Sequence, residues 1–441
     1  MNRVADSIHK NESLGEVYER LVGDDEARFC KEIPESACAV VPGNFFIILA
    51  ANFLTKLGDA LVDAKTVLPW LLGVMAAPAV FTGLLVPLRE SGSLLPQVFI
   101  GGIIRRLALR KWVWVGGSLV QALAVFAMAL AALTLQGVSG AIALVAALVV
   151  FSLARGFCSI AAKDVLGKTV PKRRRGRVTG LSASLAGLVT LCVGALLVNF
   201  GQSNQQELFL LLLFIGGSLW LLAAICFSLI RESTGATEGG GNLIADGLKK
   251  FLLLRTDTDF RNLCITRSLM LSSALSAPYY VTLAREHSTA LSLLGMLIIA
   301  TGAAGLLSGH FWGKLADRSS RRVLQLTAVL TALSGGSVFC IDRYWEAAPA
   351  WIYVLTFFCL AVVHNGVRLG RKTYVVDMAE GNKRTDYVAT SNTLIGGVLL
   401  LSGAIGFLTV VLDAGMMVLI LALAALLAAV VASRLPDVSR V

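Results

Sequence analysis

The chain has 441 residues, of which 56% are apolar and only 15% charged. Soluble domains carry about 25% charged residues on average, and the mean hydropathy of +0.75 points away from them. Disorder, a collagen-like repeat and an ordinary soluble enzyme are excluded. The working class is an all-α polytopic membrane protein.

The chain opens with a polar tail, residues 1–43. It holds the acids Glu16, Glu19, Asp24, Asp25 and Glu26 and two cysteines, Cys30 and Cys38. A short cytoplasmic helix is expected over Leu14–Val22. With no apolar run there, no cleavable signal peptide is expected. Twelve stretches then approach the roughly 20 apolar residues a membrane helix needs. They fall at 44–72, 77–103, 112–135, 139–161, 178–200, 206–230, 262–284, 288–312, 323–341, 349–367, 387–411 and 414–433. The spans divide six and six around a connection at 231–261. That connection holds Gly239-Gly240-Gly241 and an amphipathic stretch, Leu243–Leu254, so it reads as a flexible linker leading into a surface helix. The expected domains are thus a tail (1–43), a first bundle (44–230), the linker (231–261), a second bundle (262–433) and a tail (434–441).

The net charge of +11 sits almost wholly on alternate connections. Loop 2–3 has Arg105, Arg106, Arg110 and Lys111; loop 4–5 has Lys163, Lys168 and Lys172–Arg177; loop 8–9 has Lys314, Arg318, Arg321 and Arg322. Loop 10–11 has Arg368, Arg371, Lys372, Lys383 and Arg384. The intervening connections hold only Arg285 and Arg343. This is the positive-inside pattern. It predicts both termini in the cytoplasm, a bacterial inner-membrane location, anionic lipid at the basic loops and no nucleic-acid partner.

The halves repeat weakly. A slide of 211 places Gly102 on Gly313 and Arg110-Lys111 on Arg321-Arg322. A slide of 210 places Gly156 on Gly366 and Arg173-Arg174 on Lys383-Arg384. Parallel six-span repeats imply a pseudo-two-fold axis with a site between the halves.

The segment Gly313-Lys314-Leu315-Ala316-Asp317-Arg318-Ser319-Ser320-Arg321-Arg322 resembles the cytoplasmic loop motif of the major facilitator superfamily, G-x-L-A-D-R-x-G-R-R, with Ser320 at its second Gly. The run Pro171–Leu181 looks like that superfamily's entry into its fifth span, and Arg155-Gly156 like its fourth-span motif. The resemblance covers about residues 44–433. It implies two six-helix bundles related by pseudo-two-fold symmetry, and a gating loop at Gly313, Asp317, Arg318, Arg321 and Arg322. In the first-half copy Arg106 stands at the Asp position. Span 5 has Gly187 and Gly194 but lacks the Gly-Pro pair of resembling drug–proton antiporters. On physical grounds, Asp317 can accept from a neighbouring helix N-terminus. The arginines can pair with acids or lipid phosphate, or simply hold the loop inside.

Charges inside the spans are costly and are functional by default. In span 1, Asn52, Lys56, Asp59 and Asp63 share one helical face; Lys65 points elsewhere and is expected to snorkel. Span 2 adds Arg89 and Glu90, and span 4 adds Arg155. These residues are expected to line a polar cavity built mostly by the first bundle. Lys56, Arg89 and Arg155 would bind an anionic or zwitterionic solute, and Asp59, Asp63 or Glu90 would take a coupling proton. The structural alternative is ion pairing, Lys56 with Asp59 and Arg89 with a span-1 acid. Arg267, Asn365 and Arg368 sit nearer the cytoplasm, and His364 reads as a packing residue.

Other signatures fail. Leu166-Gly167-Lys168-Thr169 resembles the end of a phosphate-binding loop, but the required Gly would be Ala162. The eight cysteines form no CxxC pair and read as small hydrophobes. No enzyme activity, cofactor or metal is expected. The expected function is proton- or ion-coupled secondary transport of a small polar solute by a monomer. The alternatives are efflux of amphipathic drugs or lysolipids, and a non-transporting receptor or partner subunit signalling through the N-terminal tail.

Overall fold

A computed structural model describes residues 40–95, 104, 106–199, 205–234, 251–378 and 381–438. The expected tail helix, Gln97, Gly102 and most of the linker lie outside the described residues. All regular structure among the described residues is helical. Ten helices are long and apolar enough to cross a membrane. Of the two remaining expected spans, the seventh runs as shorter pieces, and the second is described only as far as residue 95.

The N-terminal half comprises α1 (Val41–Leu61), α2 (Val67–Val74), α3 (Ala79–Leu94), α4 (Lys111–Thr134), α5 (Gly137–Thr169), α6 (Lys172–Asn199) and α7 (Gln205–Ser228). The C-terminal half comprises α8 (Leu253–Thr256), α9 (Thr258–Leu269), α10 (Ser272–Leu275), α11 (Ala277–His287), α12 (Leu291–Arg318), α13 (Ser320–Tyr344), α14 (Ala350–Asp377), α15 (Gly381–Ser402), a 3-10 segment (Gly403–Val410) and α16 (Ala414–Ala432). Within the first half, α4 packs on α5 and α7, and α1 on α6 and α7. Within the second, α13 packs on α14 and α16, and α12 on α14. The lipid-facing surfaces keep large apolar side chains exposed, among them Leu123 (66%), Leu307 (67%) and Val411 (84%).

Both opening spans are broken, which corrects the continuous helices expected over 44–72 and 262–284. Span 1 unwinds between α1 and α2. There the Thr66 hydroxyl donates to Asp63 Oδ2 at 3.1 Å, and the Leu68 amide reaches back five residues to the Asp63 carbonyl at 3.0 Å. Short polar side chains that bond locally compete with the helix ladder. Span 7 breaks around Met270–Leu271 and again at Ser276, just before Pro278, which has no amide to donate and opens α11. Residue 63 shifted by 211 falls at 274, in the short helix between the two breaks of span 7.

Several helices outrun their apolar stretches. Span 4 continues to Thr169, span 5 begins at Lys172, span 8 reaches Arg318 and span 10 reaches Asp377. Hydropathy marks only the lipid-facing length, whereas Lys and Arg are good helix formers. Residues read as loop 10–11, Arg368 and Arg371, therefore stand on α14.

The halves meet along two seams, α6 against α12, and α3 against α15 and the 3-10 segment. At one end both seams are backbone-tight. A Cβ on Gly194 would stand 2.9 Å from the Gly295 carbonyl, and one on Gly83 2.6 Å from Gly406 Cα. Small residues allow this approach in membrane helices. This end lies on the side of the Gln136 connection, away from the basic loops.

Candidate functional site: a polar cavity between the halves

A cavity of about 980 Å³ lies between the seams. Its walls run from Thr190 and Ile298, near the glycine-tight end, to Lys56, Gly180, Gly309 and Arg371 toward the basic loops. Of the residues singled out in sequence, Lys56, Asp59, Asp63, Arg89, Glu90 and Arg155 line it; Asn52 does not.

The geometry gives these residues different employment. Asp59 is the hub of the first-half wall. Arg155 from α5 holds it bidentately, Nη1 to Oδ1 and Nη2 to Oδ2, both at 2.5 Å. Arg89 from α3 donates to Oδ1 at 2.9 Å, and its guanidinium lies 4.6 Å from the Phe151 ring centroid. One carboxylate thus ties three helices through charge-assisted bonds. Lys56 does not pair with Asp59 at bonding distance; its Nζ donates to the Thr179 carbonyl at 2.9 Å. Asp63, at the break, accepts from Thr66.

Lys65 is the main difference from the sequence expectation. The break turns it inward instead of leaving it to snorkel. Its Nζ is 4.0 Å from Glu90 Oε1 and 3.0 Å from His364 Nε2 on α14. His364 Nδ1 is 3.0 Å from Ser273 Oγ, at the break of span 7. An ammonium only donates, so Nε2 accepts and Nδ1–H donates to Ser273. A neutral imidazole therefore links the two broken spans across the cavity, and His364 is more than a packing residue. Periodicity had no means of finding this, because it assumes an unbroken helix.

The second half supplies Arg267, Arg368 and Arg371. Arg267 donates to Ser391 Oγ at 2.5 Å and to Asn392 Oδ1 at 3.0 Å, tying α9 to α15. Arg368 and Arg371 have no hydrogen bond or ion pair among the described residues. No acid of this half lines the cavity among the described residues, and Phe357 is the one aromatic side chain lining it. The wall is thus built by both halves, not mostly by the first.

The second-half loop motif lies apart from this site. Asp317 and Arg318 are exposed, and Asp317 has no bonded partner among the described residues. Gly313 has open space where a Cβ would stand. Arg321 donates to the Ser433 carbonyl at 2.8 Å, and Ser319 to Asp437 Oδ1 at 3.1 Å, both at the end of α16. The first half has a counterpart that the sequence reading missed. The Lys111 ammonium donates to the Ser228 and Ile230 carbonyls at 2.9 and 2.8 Å. Glu232, wholly buried, accepts from the amides of Arg110 (3.1 Å) and Lys111 (2.8 Å) and from Lys168 (2.9 Å). A carboxylate at a helix N-terminus satisfies donors the helix itself cannot. Arg110 also pairs with Asp164. The signal available in sequence was an acid two residues after span 6, mirrored by Asp437 four residues after span 12.

No protein-family model matches the sequence, and no curated protein matches it. Solved structures with similar folds are numerous. A POT family transporter in complex with 5-aminolevulinic acid superposes with a TM-score of 0.70 at 10% identity, over 88% of this chain and 94% of that one. A D-xylose-proton symporter gives 0.67 at 12%, over 90% and 98%. The nucleoside transporter NupG gives 0.65 at 12%, over 88% and 98%. Two helical halves, two cross-half seams and a cavity between them therefore carry the fold of the major facilitator superfamily transporters.

Proposed function

We propose that the chain is a secondary active transporter that moves a small polar solute, anionic or zwitterionic, across the bacterial inner membrane by alternating access. The observation that carries this reading is the cavity itself. It is large enough for a metabolite, lies between two halves that can rock, and is lined by seven Lys and Arg side chains against three acids. With the basic loops in the cytoplasm, the glycine-tight end of both seams faces the outside, and this state reads as closed on that side. The symporter and the 5-aminolevulinic acid complex among the similar folds fit proton coupling and a zwitterionic cargo.

Asp59 is committed to Arg89 and Arg155, so proton exchange falls to Asp63 and Glu90, with Lys65 and His364 responding. A proton on His364 Nε2 removes the acceptor for Lys65 and breaks the link between the two halves. Arg321, with Ser319, anchors the second half in this state at the end of α16, and Asp317, Arg318 and Arg322 gain partners in the outward-open one.

Uptake and counterflow in proteoliposomes test the reading. Asp63→Asn or Glu90→Gln should abolish pH-gradient-driven accumulation while leaving counterflow. Gradient-driven accumulation intact in both variants would sink the coupling assignment. The charged, aromatic-poor wall does not favour efflux of amphipathic drugs. A signalling role would require that deletion of residues 1–40 abolish output without touching transport.

A further inference from the structure

The charges on the cavity wall divide into a balanced set and an unbalanced one. In the first half Arg89, Arg155 and Lys65 are matched by Asp59, Asp63 and Glu90. Lys56, Arg267, Arg368 and Arg371 are left over. Arg267 spends its donors on the neutral Ser391 and Asn392, and Lys56 on a carbonyl. Arg368 and Arg371, one turn apart on α14, spend theirs on nothing among the described residues. The four also repel one another: the charge of Arg368 acts on Lys56 across the cavity, and those of Arg267 and Arg368 act on Arg371. The acids whose charges reach them, Asp59 for Lys56 and Glu90 for Arg371, already face Arg155 with Arg89 and Lys65.

Uncompensated cations at membrane depth are expensive. Basic residues that merely set topology would point at lipid headgroups, yet these face the interior beside His364 and Asn365. Guanidinium forks match carboxylate and phosphate oxygens bidentately. Resting on the transport reading above, we propose that the solute is a small organic anion with two or more negative charges, borne on phosphate or carboxylate. One charged end is held by Arg368 and Arg371 of the second half, and the rest is drawn toward Lys56 of the first. Such a ligand neutralises the excess and pulls the two walls together, which an uncharged solute cannot do.

The test is calorimetric titration of the full-length protein in detergent with inorganic phosphate, glycerol 3-phosphate, succinate and citrate, and with glycerol and D-xylose as neutral controls. At least one organic anion should bind and the neutral controls should not. The preference between glycerol 3-phosphate and the carboxylates identifies the anionic group. Arg368→Gln or Arg371→Gln alone should weaken binding about tenfold, and both together about a hundredfold, since each tenfold is about 1.4 kcal/mol. Arg368→Lys with Arg371→Lys should recover part of the affinity, which separates charge from misfolding. Binding of only the neutral solutes, binding of nothing, or anion affinity unchanged in the double Gln variant overturns the proposal. So does an affinity that instead falls on replacing Arg174, Arg175 and Arg177 of the basic connection. Counterflow of a neutral solute that survives the double variant would overturn the anion proposal and leave the transport reading standing. Anion binding without any counterflow would do the reverse.

Discussion

In the first half, three acids balance three of the four cations on the cavity wall, Asp59 holding Arg89 and Arg155, Glu90 facing Lys65, and Asp63 accepting from Thr66; in the second half, three arginines reach the same cavity and no acid joins them among the described residues. The scaffolds behind these walls are alike. Each half opens with a broken span, and each clamps the start of its third span to the chain just past its sixth, through Lys111 to Ser228 and Arg321 to Ser433. The repeat has kept the features that hold each half together and let the walls diverge. One wall became a self-satisfied ion network, and the other a set of donors without acceptors. In a transporter that division makes physical sense. A wall whose charges nearly cancel and an unsatisfied one give the cargo one face to dock on and another to close against.

The largest expected effect strikes the balanced wall. Asp59→Asn leaves the half-buried Arg89 and Arg155 without their counter-charge, and losing hydrogen bonds to a charged group costs about 1.5–3 kcal/mol. Thermal unfolding in detergent should show a large loss for Asp59→Asn and a smaller one when Arg155→Gln accompanies it. Arg368→Gln, on the unsatisfied wall, should leave the unfolding temperature nearly unchanged. Equal losses in the two halves would erase the distinction between the walls.

Next comes the tight end of the seam. Gly194→Val puts side-chain atoms where the Gly295 carbonyl lies 2.9 Å from a Cβ. Overpacking of this kind costs about 1–3 kcal/mol. The expected outcome is a shift toward the state open on the Gln136 side. It would be read as faster reaction of Thr190→Cys with an impermeant maleimide added from that side, in a background lacking the native cysteines.

The paired clamps sharpen the comparison at smaller scale. Glu232→Gln should destabilise by about 1–3 kcal/mol, because a buried charged acceptor serving three donors is lost. Asp437→Asn, which keeps an oxygen to accept from Ser319, should cost less. Denaturant unfolding of the two variants side by side checks the ranking. The smallest effect on stability is expected from His364→Gln, with its consequence in transport instead. The amide can still accept from Lys65 but cannot take the proton, so the pH dependence of exchange should flatten while the rate at the pH optimum persists.

Much of the fold is legible in the residues. The twelve apolar runs, the alternation of basic connections and the Gly313–Arg322 motif lead to the architecture that the superposed transporters share. The breaks in the opening spans are not legible, since nothing in hydropathy announces them. Of the cavity, the acids and arginines of α1, α3 and α5 are legible because a charge within an apolar run has few reasons to exist. Lys65 and His364 are not, since one is turned inward by a break and the other acquires its partner from a different half. Arg368 is legible at the inner end of span 10, whereas Arg371 looks like a loop anchor until α14 is seen to continue past the apolar stretch.

What the sequence determined by itself is how many times the chain meets the membrane, which connections carry positive charge, and that the chain repeats, because the cost of placing a charge or a bare amide in lipid acts on each segment alone. Only the tertiary structure decided which charges neutralise one another and which are left for a ligand. Pairing depends on distances between helices far apart in the chain, as with Asp59 and Arg155 or Lys65 and His364, and no property of a single segment encodes those distances.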